Sequence, residues 1–591
     1  MVNLITEHID IWTAAQMQKT NSGRGRRKNS NGQSPHGIKK LRELILELAV
    51  RGKLVPQEPN DEPASVLLEK IAAEKARLIK ESEIKKQKPF PEISKDEKPF
   101  ALPVGWGWVR LGNVGNIFNG NSVNARAKEE KYTNIEGGLP FIATKDVGYG
   151  WEELDYGNGI SIPKDEPKFK VAQKSAVLIC SEGGSAGKKC GITNQDICFG
   201  NKLFANELYG NIEPSYILAN YLSPTFFYQF SDKMTGIIGG ISAAKFSQLL
   251  LPIPPLAEQH RIVAKVDKLM AFCDQLEQKQ TDSNDTHQTL VETLLATLAN
   301  AADQSELAEA WQRIDNHFDT LFTTEQSIDH LKLTILQLAV MGKLVPQDLN
   351  GEPASVLLEK ITKEKTQFIK EGKIKKQKPL PSIAEDEIPF ELPQGWTWIR
   401  LRAIVEYERG ITYGIVKMGM EPRMGGVKTL RCSDVKYRKI DLTNVRMVSK
   451  EISQKYKRTI LKGHEILINI RGTLGGCCIA PKEIEGYNIA REIAMVPILK
   501  QIESRYVLDV LSSPYIQKTT FSSLRGIAYK GLNLNLLTSF LIPLPSLAEQ
   551  HRIVAKVDEL MALCDALKAQ LNDAQTTQVQ LADAIVEQAI A

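Results

Sequence analysis

The twelve residues LAEQHRIVAKVD occupy positions 256–267 and return unchanged at 547–558. The match continues to Glu277 and Lys568, with 18 identities in 22 aligned pairs. So long a match within one chain indicates an internal repeat, which must be identified before any motif is interpreted.

Apolar residues recur at spacings of 4, 3, 4 and 3 through both copies of this block. This is the pattern of the a and d positions of a coiled coil, so the sequence predicts that the two helices pack on each other. Cys273 and Cys564 fall within the pattern and are expected to be packing residues rather than reactive thiols. The predicted seam consists of Ile262, Val266, Leu269, Cys273 and Leu276 in the first copy and Ile553, Val557, Leu560, Cys564 and Leu567 in the second.

The repeat has a second part upstream, where 41–112 aligns without a gap on 331–402 with 47 identities in 72 pairs. The shared blocks include GKLVPQ, EPASVLLEK and IKKQKP. Good helix formers run from Ser65 to Lys86, and the prolines that follow are expected to end this helix.

Two inserts of about 140 residues, beginning at Asn113 and Ala403, separate the repeated parts and share little sequence. Each is opened by the motif LPxGWxWxRL and closed by a proline-rich segment, LPIPP or IPLPS. Short β-prone runs, SAVLIC and EILINI, lead into glycine-rich turns, which predicts mixed α/β inserts. The paired tryptophans of the opening motif are expected to anchor the core rather than to stack on bases; they are Trp106, Trp108, Trp396 and Trp398.

The predicted fold class is therefore α+β, with two mixed α/β inserts held by near-duplicate helices and a pseudo-twofold internal repeat. The predicted segments are an N-terminal segment with a basic arm (1–36), a first helical segment (37–101), the first insert (102–255), a central helical segment (256–391), the second insert (392–546) and a C-terminal helix (547–591).

Composition adds little about the ligand, because the 591 residues carry a formal net charge of only +5. A basic cluster in a polar segment, Arg24 to Lys28, is expected to be a mobile arm, either a solvated linker or a phosphate contact. The eight cysteines lack the paired spacing of zinc sites, so free thiols are expected. Neither a signal peptide nor a membrane span is predicted, which favours the cytoplasm.

No catalytic motif is complete. The GGSAGKK segment at 183–189 is too short for a phosphate-binding P-loop and lacks its Ser/Thr, so a hairpin turn is expected there. The tetrapeptide of amino-methyltransferases is absent, since Pro254-Pro255 has the wrong neighbours. His260 and His551 lie beside glutamates at a helix start, where a structural or partner-contact role is favoured over catalysis. The sequence therefore predicts a chain that is not an enzyme and binds no metal.

The motifs LPxGWxWxRL and IPxPxLAEQxRIV, alternating with duplicated helical segments, resemble the specificity subunits of bacterial Type I restriction-modification enzymes. The long helical segments and the N-terminal extension are similar to the Type IB subgroup.

The resemblance implies that each insert is a target-recognition domain that binds one half of a bipartite, asymmetric site in double-stranded DNA. The helices would form an antiparallel intramolecular coiled coil that sets the spacer length. Two modification subunits would dock on them and methylate adenine with S-adenosylmethionine. Two restriction subunits would use ATP and Mg²⁺, so that no cofactor belongs to this chain.

Aligning the two glycine-rich turns places Glu182 opposite Arg471; Glu can accept from cytosine N4 and Arg can bond to guanine. Other candidates for DNA contacts follow from residue type and predicted loop position. The full set is Arg24, Arg26, Arg27, Lys28, Lys145, Glu182, Lys188, Lys189 and Lys202, and in the second half Arg409, Tyr413, Arg431, Arg471, Arg525, Tyr529 and Lys530.

Two other classes of function are considered. One is a two-headed scaffold whose inserts bind proteins without DNA specificity. The other is a fused methyltransferase-nuclease, which the missing motifs disfavour.

Overall fold

A computed structural model divides the chain into two compact units, which are described separately. The first unit comprises Met1–Asn284 and Asp573–Ala591, and the second comprises Asp285–Asn572. The structure describes residues 7–15, 17–18, 33–34, 36–236, 239–348, 351–375, 381–472, 475–523 and 531–590.

Helices make up most of the repeated segments. Two of them are much longer than the rest, with 45 and 44 residues. The helices are α1 Ile9–Ala14, α2 His36–Val50, α3 Ala64–Lys80, α4 Ala125–Lys131, α5 Pro214–Leu222, α6 Pro224–Lys233, α7 Ala243–Phe246, α8 Leu256–Asn300, α9 Gln304–Asn316, α10 Phe318–Leu321, α11 Glu325–Val340, α12 Ala354–Lys370, α13 Lys450–Lys455, α14 Ser504–Ser512, α15 Pro514–Ser523, α16 Leu534–Ser539 and α17 Leu547–Ile590.

The first insert is built on two four-stranded sheets within the described residues, with strand orders β4-β11-β8-β9 and β6-β5-β10-β7. All neighbours are antiparallel except β5 and β10. The strands of this unit are β1 Met17–Gln18, β2 Gln33–Ser34, β3 Gly107–Arg110, β4 Gly115–Asn119, β5 Leu139–Ile142, β6 Ser161–Ile162, β7 Val171–Ala172, β8 Val177–Cys180, β9 Cys190–Ile192, β10 Ile197–Phe199, β11 Leu203–Leu208 and β12 Leu250–Ile253.

The second insert follows the same plan. Its main sheet has the order β14-β22-β19-β20, and a second sheet has the order β18-β15-β21, with β15 and β21 parallel. The two inserts therefore share a fold that their sequences barely reveal. The strands are β13 Thr397–Arg400, β14 Thr412–Tyr413, β15 Val427–Leu430, β16 Val435–Lys436, β17 Lys439–Ile440, β18 Arg446–Val448, β19 Ile466–Asn469, β20 Cys477–Ile479, β21 Asn488–Ile489, β22 Ile493–Val496 and β23 Leu541–Leu544.

The opening and closing motifs of each insert pair with each other as a two-stranded antiparallel ribbon. Strand β3 pairs with β12, with Trp108 opposite Pro252. Strand β13 pairs with β23 in the same register, with Trp398 opposite Pro543. The two ends of each insert thus meet at one neck, which explains why both motifs are repeated while the intervening sequence is free to differ.

The predicted seam residues are buried or partly buried in both long helices. In the first unit the seam of α8 shares a core with Ala582, Ile585 and Val586, at the end of α17. In the second unit the seam of α17 shares a core with Val291, Leu295 and Leu298, at the end of α8. Within each unit, the start of one long helix thus shares a core with the end of the other long helix, and not with the other predicted seam.

The two seam cysteines are packing residues, as predicted. Cys273 is fully buried and Cys564 is 5% exposed. Burial raises the pKa of Cys273 to about 11, so its thiol stays protonated and poorly nucleophilic near neutral pH.

The helix predicted for Ser65 to Lys86 is shorter than expected, because α3 ends at Lys80. Ser82 has a φ of 65°, and Gly372 occupies the same place in the second copy with a φ of 69°. The backbone N–H of Ser82 donates to Ile79 O at 3.2 Å. A left-handed residue here ends the helix before the prolines are reached.

Candidate nucleic-acid interface

The glycine-rich turns lie at equivalent ends of the two main sheets. The first joins β8 to β9 and the second joins β19 to β20, and both pairs are antiparallel. The GGSAGKK segment is therefore a hairpin turn, as predicted. A later segment fastens each turn, because Ile241 N donates to Ser181 O at 3.0 Å and Leu532 N donates to Ile470 O at 2.8 Å.

Two charged residues lie next to each turn, and the signs of their charges are exchanged between the two inserts. We call these residues the inverted pair. The backbone N of Ser181 donates to Lys202 O at 2.9 Å, and the backbone N of Ile470 donates to Glu492 O at 2.8 Å. Glu182 and Lys202 of the first insert therefore correspond to Arg471 and Glu492 of the second. Lys202 Nζ lies 3.7 Å from Glu182 Oε1. One position thus offers an acceptor in the first insert and a donor in the second, and these bond to different base edges.

The other first-insert candidates lie around the β8–β9 turn. Lys189 Nζ donates to Thr144 O at 2.9 Å and lies 4.8 Å from the ring centre of Tyr149. Lys145, beside Thr144, has a side chain that is 71% exposed. Lys188 is exposed, with Nζ 5.7 Å from the ring centre of Phe227. The structure therefore places Lys189 at the backbone of the residue before Lys145, whose ammonium lies 3.8 Å from Asp146 Oδ1 and is exposed enough to meet a phosphate.

In the second insert, Arg471 and Tyr413 are exposed. Arg431 is less available, because its guanidinium lies 3.3 Å from Asp434 Oδ1 and donates to Asn444 O at 2.9 Å. Among these described candidates, Arg471 is the cation with the best access to a ligand.

The structure argues against Arg409 as a DNA contact. The residue is 7% exposed, and its Nη1 lies 2.6 Å from Oε1 of the buried Glu465. Its Nη2 donates to Ile460 O at 2.9 Å. The burial of Arg409 depends on an ion pair with Glu465, which is 56 residues away in the sequence. Because so distant a partner is not visible in the sequence, Arg409 was expected at the surface.

Seven candidates lie outside the described residues: Arg24, Arg26, Arg27, Lys28, Arg525, Tyr529 and Lys530. They stay predictions.

Arg491 was missed by the sequence reasoning. It is exposed, and its backbone N donates to Ile415 O at 2.9 Å. Arg491 directly precedes Glu492 of the inverted pair, and the corresponding residue of the first insert is Asn201. Only a structural alignment of the two inserts could have identified it, because their sequences do not align there.

The described residues contain no candidate metal site, and the two histidines of the repeated block are exposed. None of their His, Cys, Asp and Glu side chains form a group of three or more that could hold a metal ion. His260 and His551 are both 59% exposed, with Nε2 3.8 Å from Glu213 and 3.6 Å from Glu503. Across the same described residues, no helix is long and apolar enough to cross a membrane.

Comparison with known proteins agrees with this arrangement. A family model described as "Type I restriction modification DNA specificity domain" matches residues 103–283 and 396–574, one match for each insert with the first part of its following helix. The chain is 41% identical over 606 residues to the Type I restriction enzyme EcoAI specificity subunit of Escherichia coli, covering 99% of each chain.

Two further Escherichia coli relatives extend the similarity. The EcoEI specificity subunit is 40% identical over 613 residues, again covering 99% of each chain. The EcoBI specificity subunit is 27% identical over 497 residues, covering 83% of this chain and 86% of its own. The chain therefore belongs to the family of Type I restriction-modification specificity subunits and carries two copies of the DNA specificity domain.

Proposed function

We propose that each insert binds one half of a bipartite, asymmetric site in double-stranded DNA. The observation that carries this proposal is the inverted pair, with Glu182 and Lys202 in one insert and Arg471 and Glu492 at the same positions of the other. A duplicated domain with opposite charges at one exposed edge is suited to two different half-site sequences. The described DNA candidates, apart from Arg409, belong to this proposal.

The helical segments would fix the spacing of the two half-sites and dock two modification subunits. Support comes from two grooves that are lined by corresponding residues, one within each unit. Asp267, Met270, Ala271 and Asp274 of α8 line the first groove. Asp558, Met561, Ala562 and Asp565 of α17 line the second. Two equivalent surfaces fit two identical partners.

The remaining assignments also belong to this proposal. Two restriction subunits would join the assembly, in the cytoplasm. S-adenosylmethionine, ATP and Mg²⁺ would act in the partners, while this chain supplies recognition. The six-segment division and the Type IB subgroup stay predictions.

Domain exchange tests the proposal directly. Residues 113–249 would be replaced by the corresponding insert of another family member, and the chain co-expressed with its modification subunit. Sequencing of methylated DNA should show one half-site changed and the other retained. The matched control exchanges 403–540 and should change the opposite half-site. Methylation at unaltered sites in both exchanges would refute the proposal and favour a scaffold that binds proteins.

A further inference from the structure

The loop that follows β14 carries two exposed methionines. Within the described part of the second unit, Met420 and Met424 are the most exposed large apolar side chains, at 92% and 90%. Full burial of one such side chain is worth about 1.5–3 kcal/mol. We call residues 415–426 the methionine loop; its exposed apolar surface indicates a partner.

Contacts with β18 hold the loop in place. Glu421 Oε1 accepts a hydrogen bond from Met447 N at 2.8 Å, and Glu421 Oε2 lies 3.6 Å from Arg446 Nε. Arg446 Nη2 also donates to Gly419 O at 3.3 Å. These contacts hold Gly419 through its backbone carbonyl and Glu421 through its carboxylate, so the two neighbours of Met420 are tied to β18 while the methionine itself is exposed.

The methionine loop begins beside the candidate base-reading residues. Ile415 O accepts from the backbone N of Arg491, and Glu492 O accepts from the backbone N of Arg471 at 3.3 Å. The loop also carries two exposed cations, Lys417 and Arg423. Apolar side chains flanked by cations, in a loop that starts at the backbone of Arg491, match the chemistry of a DNA duplex, with stacked bases inside and phosphates outside.

The first insert has a different structure at this position. A Cβ on Gly120 would lie 2.0 Å from Phe199 O, and a Cβ on Gly414 would lie 1.9 Å from Ile489 O, so the two glycines mark corresponding points. Helix α4 follows the first glycine, and its Arg126 side chain is 84% exposed. The methionines thus belong to the second insert alone, as expected of a feature that serves one half-site.

We propose that Met420 and Met424 form an apolar wedge that enters the base stack of the half-site read by the second insert, with Lys417 and Arg423 on the flanking phosphates. This rests on the proposed function, since it presumes that the insert binds DNA. Methionine is among the side chains that proteins insert between base steps, and its flexible thioether adapts to the opened step. Insertion would unstack one base step of the half-site. The affinity would then depend on how easily the DNA sequence at that step is deformed.

The test uses the complex of the full chain with its modification subunit, and duplexes containing the wild-type methylation site. 2-Aminopurine replaces adenines of the second half-site in turn, because its fluorescence rises when it is unstacked. The wild-type complex should brighten one position other than the adenine that is methylated, because a methyltransferase extrudes its own target base without the wedge. Met420→Ser with Met424→Ser should abolish this signal and weaken binding by about tenfold or more. Met420→Leu with Met424→Leu should retain both properties.

The salt dependence separates the wedge from phosphate binding. The double serine variant should keep the wild-type slope of log affinity against log salt, whereas Lys417→Ala with Arg423→Ala should flatten it by roughly 0.9 for each phosphate that is no longer neutralised. Unchanged affinity in the serine variant, with no bright position in wild type besides the methylated adenine, would overturn the wedge. Loss of the modification subunit from the serine variant would also overturn it, in favour of a protein contact. Failure of wild type to bind its methylated site would instead refute the proposed function.

Discussion

The indole Nε1 of Trp106 donates a hydrogen bond of 2.9 Å to Oε2 of Glu258. The tryptophan belongs to the opening motif of the first insert and the glutamate to the block that follows its closing motif. Glu258 is 1% exposed, and its Oε1 accepts from Gln57 Nε2 at 2.7 Å. Three repeated motifs therefore meet at one buried carboxylate, and Trp396 and Glu549 repeat the bond at 3.1 Å.

Trp106→Phe should destabilise the first unit by about 1–3 kcal/mol, because it leaves a buried carboxylate oxygen without its donor. Burial raises the pKa of Glu258, so the cost should be smaller in acid, where the protonated carboxyl is easier to bury. Urea unfolding at several pH values measures this. The matched control is Trp151→Phe, whose indole bonds at 2.8 Å to the exposed Asp267. Equal losses in the two variants would contradict a special role for the buried bond.

Asp509 should make the second unit lose stability as pH rises. Burial raises its pKa from 3.8 to about 6, although the adjacent Arg438 guanidinium opposes the shift. The folded state therefore holds the proton of Asp509 more tightly than the unfolded state does. The resulting contribution to the free energy of unfolding is complete below about pH 4 and is lost towards pH 6. Asp509→Asn should remove the dependence while still accepting from Arg438. Between pH 4 and 7, wild type should lose roughly 2.4 kcal/mol relative to the variant in urea unfolding. A constant difference would show that the pKa is not raised.

The sequence predicted the features that depend on local spacing or on the repeat. The burial of Ile262 and Cys273 followed from heptad spacing, and the correspondence of Glu182 with Arg471 followed from aligned glycine turns. The sequence did not reveal features that depend on contacts between residues far apart in the chain. Arg409 is internal because Glu465 lies beside it, and the exposed Met420 precedes Glu421, whose carboxylate accepts from the distant backbone of Met447.

Arg471→Ala should relax base preference at one position of the half-site read by the second insert, at a cost of about 1–3 kcal/mol in specific binding. Glu182→Gln should alter only the other half-site, since it belongs to the first insert. Sequencing of methylated sites and competition binding measure both effects. Arg313→Ala is the control, because its 65% exposed side chain lies on α9, outside both inserts. If either variant changed both half-sites together, independent reading by the two inserts would be contradicted.

The docking proposed for the two grooves predicts that modification subunits can be removed one at a time. Ala271 of α8 and Ala562 of α17 are exposed residues that line the two grooves. An arginine at either position would fill its groove. The helix itself should tolerate the arginine, because aspartates lie four residues before it and three residues after it. Ala271→Arg should therefore leave one bound modification subunit, and Ala271→Arg with Ala562→Arg should leave none. Native mass spectrometry of the co-expressed complex counts them. Ala264→Arg with Ala555→Arg, at exposed positions of the same helices outside the groove linings, should keep two. Complete loss from the single groove variant would contradict two independent docking sites.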